Sequence, residues 1–172
     1  MKIMCLKILR LTLMFLFSVF SLSTVAQESK QVSAGLSNEL VKSINAAVNT
    51  DTERLQNIFK DIHQNPELGF METRTAAIVA KELKALGYEV KTGIGKTGVV
   101  GIMKNGKGPT VMYRADMDAN SVEELTGLPY ASKVRVKMPD GSESPVAHMC
   151  GHDAHTTWLI SLAKTMVTLK DM

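Results

Sequence analysis

Cysteine is scarce in this 172-residue chain: there are two, and one of them, Cys5, lies in the first few residues. A disulfide framework is therefore excluded, and so is haem attachment, because no second cysteine precedes Cys150 at the required spacing. An excess of charge is missing too, once the opening residues are set aside. Lys2, Lys7 and Arg10 carry the whole surplus, and residues 27–172 hold 17 acidic side chains and as many basic ones. Such a balance gives no reason to expect nucleic acid or an anionic membrane surface as a partner. Repeats and low-complexity segments are absent, and the longest apolar run, Leu11–Leu22, is short for a bilayer span.

That run follows basic residues and leads through Thr24, Val25 and Ala26 to the polar Gln27. The pattern is that of a secretory signal peptide, residues 1–26, cleaved after Ala26. The expectation is an exported protein, periplasmic or secreted, with no stable membrane anchor after cleavage. Residues 27–172 suffice for one domain with its own core. One unpaired thiol, Cys150, then remains in an exported chain, and a metal-bound thiolate would account for it.

A phosphate-binding loop is also missing, although Gly95, Lys96 and Thr97 imitate the end of one. The earlier glycine would have to be residue 90, which is Val90, and the segment leads into a strand instead of a helix. Gly93, Gly95 and Gly98 read as turn formers.

What the chain does have is a concentration of ligating side chains. Three of its four histidines share one octapeptide with Cys150: His148, Met149, Cys150, Gly151, His152, Asp153, Ala154, His155. Sulfur, imidazole nitrogen and carboxylate oxygen at that density suit a divalent transition metal. Cys150 and His152 project to one side if the segment is extended, and Gly151 lets the backbone bend around an ion. The apolar residues from Trp158 to Leu169 predict a helix, with Asp153 as its N-cap. The ligands would sit on the loop entering it. A loop with incidental histidines and a cysteine nucleophile paired with histidine are the competing readings.

Helical spacing of Leu40, Val41, Ile44, Val48, Leu55, Ile58, Phe59 and Ile62 predicts helix over residues 38–63, with a break at 49–51. A second helix is predicted from Glu72 to Leu86, stopped by Gly87. Tyr88–Thr92, Val99–Met103, Thr110–Arg114 and Ser132–Lys137 read as strands, the middle two as a hairpin turning at Asn105-Gly106. Helices on either side of a small sheet indicate a layered α/β domain.

Three segments, His63-Gln64-Asn65-Pro66-Glu67-Leu68, Arg114-Ala115-Asp116-Met117-Asp118-Ala119 and the octapeptide, together resemble the amidohydrolase branch of the metal-dependent aminoacylase and carboxypeptidase superfamily. The resemblance implies the amino-terminal part of a layered α/β/α zinc-exopeptidase-like catalytic domain, incomplete over residues 27–172. It further implies hydrolysis of the amide bond of N-acyl amino acids or related small amides and peptides, with two divalent ions, Zn or Mn, in the parent enzyme. Cys150 and His152 match metal ligands, and Asp116 matches an aspartate that supports a ligand. Arg114 replaces a histidine ligand of other members, and is either a strand-end cation or a carboxylate contact. Asp118 either shares the face of Asp116 or is solvated. His148 and His155 contact substrate or bond locally, while His63 reads as structural. Glu123 and Glu124 read as a solvated pair in a polar loop. Relatives place a glutamate pair, which supplies the general base, beyond the cysteine motif, and an inserted domain through which they form homo-oligomers. Neither is found before Met172, so the chain reads as truncated and inactive alone. A non-catalytic exported metal-binding or interaction module is the alternative from another class.

Overall fold

The computed structural model describes residues 37–172. The expected signal peptide, residues 1–26, therefore lies outside the described residues. The chain divides into two units, Met1–Ser43 and Ile44–Met172. From the first, the described residues contribute the opening of α1 (Asn38–Asn49), where the Ser37 hydroxyl accepts the Leu40 amide at 3.1 Å.

The predicted break lies within the second unit. Thr50 and Asp51 separate α1 from α2 (Thr52–Gln64), which buries Leu55, Ile62 and His63 along one face. Asp51 is itself buried and meets Lys164 at 2.6 Å and the Arg54 Nε at 2.8 Å. The Arg54 hydrogen bond outweighs the opposing effect of burial and, with Lys164, holds the Asp51 carboxyl below its usual range. Next comes α3 (Thr73–Ala85), burying Thr75, Ala76, Val79, Ala80 and Leu83. Its first turn is satisfied from a distance: Glu67 accepts the amides of Arg74 at 2.9 Å and Thr75 at 2.7 Å. Its last turn closes as a Schellman motif, Tyr88 N–H to Leu83 C=O and Gly87 N–H to Lys84 C=O, with Gly87 at φ 85°.

Strands β1 (Glu89–Ile94) and β2 (Gly98–Ile102) form an antiparallel pair, Glu89 facing Ile102, joined by the turn at residues 95–97. Their inner face, with Val90 and Val99, packs on Val79, Leu83, Leu86 and Tyr88, and on Leu159 and Ala163 of the last helix, α4 (His152–Thr168). The expected hairpin between Val99–Met103 and Thr110–Arg114 does not form. The partner of β2 is the preceding strand, across the shorter turn, and residues 110–118 run without strand pairing. Val111 and Met112 are each 86% exposed there, so the apolar pattern is present with no described strand beside it. A small two-stranded ribbon, β3 (Arg135–Lys137) and β4 (Glu143–Pro145), turns at Asp140 and Gly141.

Two isolated bridges matter most for function. Leu68 pairs with Ala119 in parallel, and Asn120 with Ala147 in antiparallel fashion. The Ala119 amide donates to Glu67 O at 2.7 Å, and Asn120 and Ala147 exchange both backbone bonds at 2.9 and 3.0 Å. Segments far apart in sequence, ending at Leu68, Asn120 and Ala147, are thereby laid side by side at the entrance to α4. Beneath them Ile62, Val146, Ala147, Thr156 and Ile160 are buried.

Candidate metal centre

Gly151 caps α4 with φ 79°, a left-handed conformation that costs other residues strain. The chain therefore turns sharply between Cys150, which is exposed in the loop, and His152, the first helical residue. Asp153 is not the N-cap it was expected to be. It lies inside the first turn, 2% exposed, where one carboxylate oxygen accepts the Ala154 amide at 2.8 Å and the other faces His63 Nδ1 at 2.6 Å. A carboxylate there also complements the positive end of the helix dipole.

The His152 ring is oriented from behind. Its Nδ1 bonds the Asp118 carbonyl at 2.9 Å and the Asp118 carboxylate at 3.0 Å, which makes Nδ1 the protonated nitrogen. Nε2 has no bonding partner among the described residues, and it is the nitrogen left to a ligand. Asp118 thus fixes the His152 ring, and the Asp116 carboxylate accepts Arg114 Nη2 at 2.7 Å. Of the two readings of Arg114, the carboxylate contact is the one observed. The backbone carbonyl of Asp116 accepts the Thr156 hydroxyl at 3.3 Å, tying this segment to α4. His155 lies between His152 and Trp158, with ring centroids 5.3 and 5.5 Å away.

His63 is structural in the sense expected, and it is also the middle of a buried polar chain. Its Nε2 lies 3.1 Å from Glu124, whose side chain is fully buried and also accepts the Ser132 amide at 2.6 Å and the Thr126 hydroxyl. The expectation of a solvated Glu123-Glu124 pair is therefore wrong for Glu124. Glu123 does lie at the surface, paired with Arg135 at 3.0 Å. Burial alone would lower the pKa of His63, but the hydrogen bonds and charges of Asp153 and Glu124 outweigh it and raise the value. Burial would likewise raise Glu124, and its bonds to Thr126, Ser132 and His63 bring it below the usual carboxylate value instead. Nothing local in the sequence marks Glu124 as buried, because its partners His63 and Ser132 lie 61 and 8 residues away.

His148 is 5% exposed, and neither ring nitrogen has a partner among the described residues. Burial lowers its pKa, with the nearby His63 and His152 adding to the effect and Asp153 and Asp118 opposing it. A cavity of about 590 Å³ lies elsewhere, between α3 and the β1–β2 turn, lined by Ala76, Lys81, Lys84 and Lys96. It is remote from this chemistry.

A thiol and an imidazole flank a glycine that reverses the chain, and the imidazole is held through its other nitrogen, as ligating histidines usually are. These two fit a borderline-soft divalent ion as part of a ligand set. Among the described residues, no three His, Cys, Asp or Glu side chains converge on one point.

No family model matches the chain. It is 48% identical over 114 residues to the hippurate hydrolase of Campylobacter jejuni, covering 66% of this chain and 27% of that protein. Identity to thermostable carboxypeptidase 1 of Saccharolobus solfataricus is 40% over 136 residues, 78% of this chain and 32% of the relative. Among solved structures, the Bacillus subtilis YXEP protein, a dinuclear metal-binding peptidase of the M20 family, superposes with a TM-score of 0.59. It is 35% identical over 69% of this chain and 31% of its own. A structure from methicillin-resistant Staphylococcus aureus gives a TM-score of 0.67 at 35% identity, over 76% of this chain and 31% of that one. Over these residues the chain is similar to the M20 family. The chain spans about a quarter to a third of the length of the curated relatives it matches. Its helices and small sheets are part of an α/β domain of that type.

Proposed function

We propose that this chain belongs to a metal-dependent amidohydrolase that cleaves N-acyl amino acids or related small amides and peptides, and that Cys150 and His152 are metal ligands. The observation that carries the reading is the thiol and imidazole either side of left-handed Gly151, with His152 Nδ1 fixed on Asp118. The similar proteins support the class of reaction: one is a hippurate hydrolase and another a dinuclear metal-binding peptidase. Two divalent ions, zinc or manganese, are proposed for the whole enzyme, and zinc is the one that a thiolate ligand favours.

Divalent metal, when bound, polarises the scissile carbonyl and acidifies a bound water. The protein's part is positioning. Cys150 and His152 would hold the ion, Asp118 keeps the His152 ring in the tautomer that presents Nε2, and Arg114, anchored on Asp116, is an exposed guanidinium suited to a substrate carboxylate. His155 is placed to line the approach beside Trp158. Export after cleavage at Ala26 belongs to the same proposal and rests on the leader pattern alone.

The test is a zinc titration of the chain by calorimetry, alongside Cys150→Ser and His152→Ala. Stoichiometric binding that weakens at least about tenfold in each variant is expected. Because no three ligating side chains converge among the described residues, turnover of hippurate by the 172-residue chain is expected to be negligible. Turnover that resists chelator but stops on thiol alkylation would replace the proposal with a cysteine hydrolase.

A further inference from the structure

We propose that the segment His63–Leu68 is a bracket that sets the spacing between Asp118 and His152, and that His63 is a positioning residue for the metal-binding turn. This rests on the metal-centre reading above for its purpose, though not for its geometry.

The bracket has two ends. At one, the His63 ring meets Asp153, the residue after His152, at 2.6 Å. At the other, Glu67 O accepts the amide of Ala119, the residue after Asp118, at 2.7 Å, and Leu68 forms a parallel bridge with Ala119. One short segment therefore grips the immediate neighbour of each group in the His152–Asp118 hydrogen bond. The grip at the His63 end is braced from behind. Glu124, with no side-chain exposure, bonds the other ring nitrogen at 3.1 Å and is itself held by the Ser132 amide at 2.6 Å. Phe59 and Tyr130 pack against the ring with centroids 5.6 and 5.4 Å away, closing it off from solvent.

An imidazole between two carboxylates donates from both nitrogens, and dropping the bond to Asp153 leaves that buried oxygen without a partner among the described residues. The neighbouring His148 makes no hydrogen bond to any described residue and gives the turn no second polar anchor. Left-handed Gly151 is the most easily rotated residue of the loop, and without the His63 grip the first turn of α4 is free to pivot there. Pivoting would move His152 off Asp118 and separate its Nε2 from Cys150.

The experiment compares the 172-residue chain with His63→Ala and with Leu83→Ala, a core truncation on α3 that loosens the fold away from the turn. Two readouts are taken. In metal-free protein, amide hydrogen exchange over residues 151–156 and the ¹⁵N spectrum of the His152 ring report the pivot. With Co²⁺, the thiolate-to-cobalt charge-transfer band reports assembly of the pair. His63→Ala is expected to accelerate exchange selectively at 151–156, to lose the single His152 tautomer, and to weaken Co²⁺ binding about tenfold or more. Leu83→Ala should leave the tautomer and the affinity within about twofold of the parent, on the same scale. His63→Gln keeps one donor and should recover part of the loss; it also serves if the alanine variant does not fold. Unchanged exchange and tautomer in both His63 variants, or equal loosening by Leu83→Ala, would overturn the bracket. Absence of the charge-transfer band in the parent would remove the metal-centre reading alone, since exchange and tautomer still decide whether the bracket exists.

Discussion

Two buried histidines, His63 and His148, respond to the same interior in opposite directions, and the contrast has a thermodynamic consequence. His63 gains two carboxylate partners and its pKa rises above the ordinary 6.5; His148 gains none and burial pushes it below 6.5. The raised value of His63 means that its contribution to stability is complete below 6.5 and is lost as pH climbs through the folded value. His148 acts the other way, because the unfolded chain binds its proton first as pH falls below 6.5. Asp51 and Glu124 are depressed from 3.8 and 4.5, so their contributions disappear only at lower pH. The metal-free chain should therefore be most stable close to pH 6.5. Urea unfolding midpoints from about pH 5 to about pH 9 would show this. In His63→Gln the decline on the alkaline side should vanish while the acid side stays. A midpoint that rises steadily across the range would contradict the assignment.

The octapeptide was legible at this scale because ligating residue types crowded together announce themselves without any tertiary information. Asp118 and Glu124 were not. Each earns its role from a contact across the fold, 34 and 61 residues away, and a polar residue in a polar stretch looks solvated until its partner is known.

At the level of elements, periodicity carried most of the reading. The break at residues 49–51, the stop at Gly87 and the helix after the octapeptide all follow from local pattern and backbone preference. Asn105-Gly106 is the stronger turn signal, yet the chain turns at residues 95–97. Two glycines show what holds β1 and β2 in place. A Cβ on Gly98 would lie 2.5 Å from the Ile94 carbonyl oxygen, which is backbone and cannot yield without opening the turn. A Cβ on Gly101 would meet Leu83 Cδ1 at 2.9 Å and Tyr88 Cδ1 at 3.3 Å, side-chain atoms that yield more readily than backbone. Gly98→Ala should therefore cost about 3 kcal/mol and Gly101→Ala about 1 kcal/mol. Denaturant unfolding of the two variants measures the difference. The reverse order would mean that α3, and not the β1–β2 turn, is the rigid partner.

For the molecule as a whole, the exposed apolar surface is the property with the largest consequence. On α4, Trp158, Leu162 and Met166 recur every four residues and are 58%, 38% and 47% exposed, forming one stripe beside His155. Across the sheet, Val100 and Ile102 face outward, and the unpaired segment carries Val111 and Met112 with little cover. Extended backbone without a strand beside it, flanked by apolar side chains, is a template for another chain. We expect association that grows with concentration in sedimentation velocity. Trp158, the single tryptophan of the chain, should report whether the α4 stripe takes part, because burying its ring shifts the emission to shorter wavelength. Val111→Lys should weaken association if the extended segment leads it, since a charge on an unpaired edge opposes strand addition. Should the emission shift persist in Val111→Lys while the sedimentation change persists with it, the α4 stripe is the contact and Trp158→Lys should abolish both. A chain that stays monomeric up to millimolar concentration would show instead that these exposed side chains do not form one continuous adhesive face.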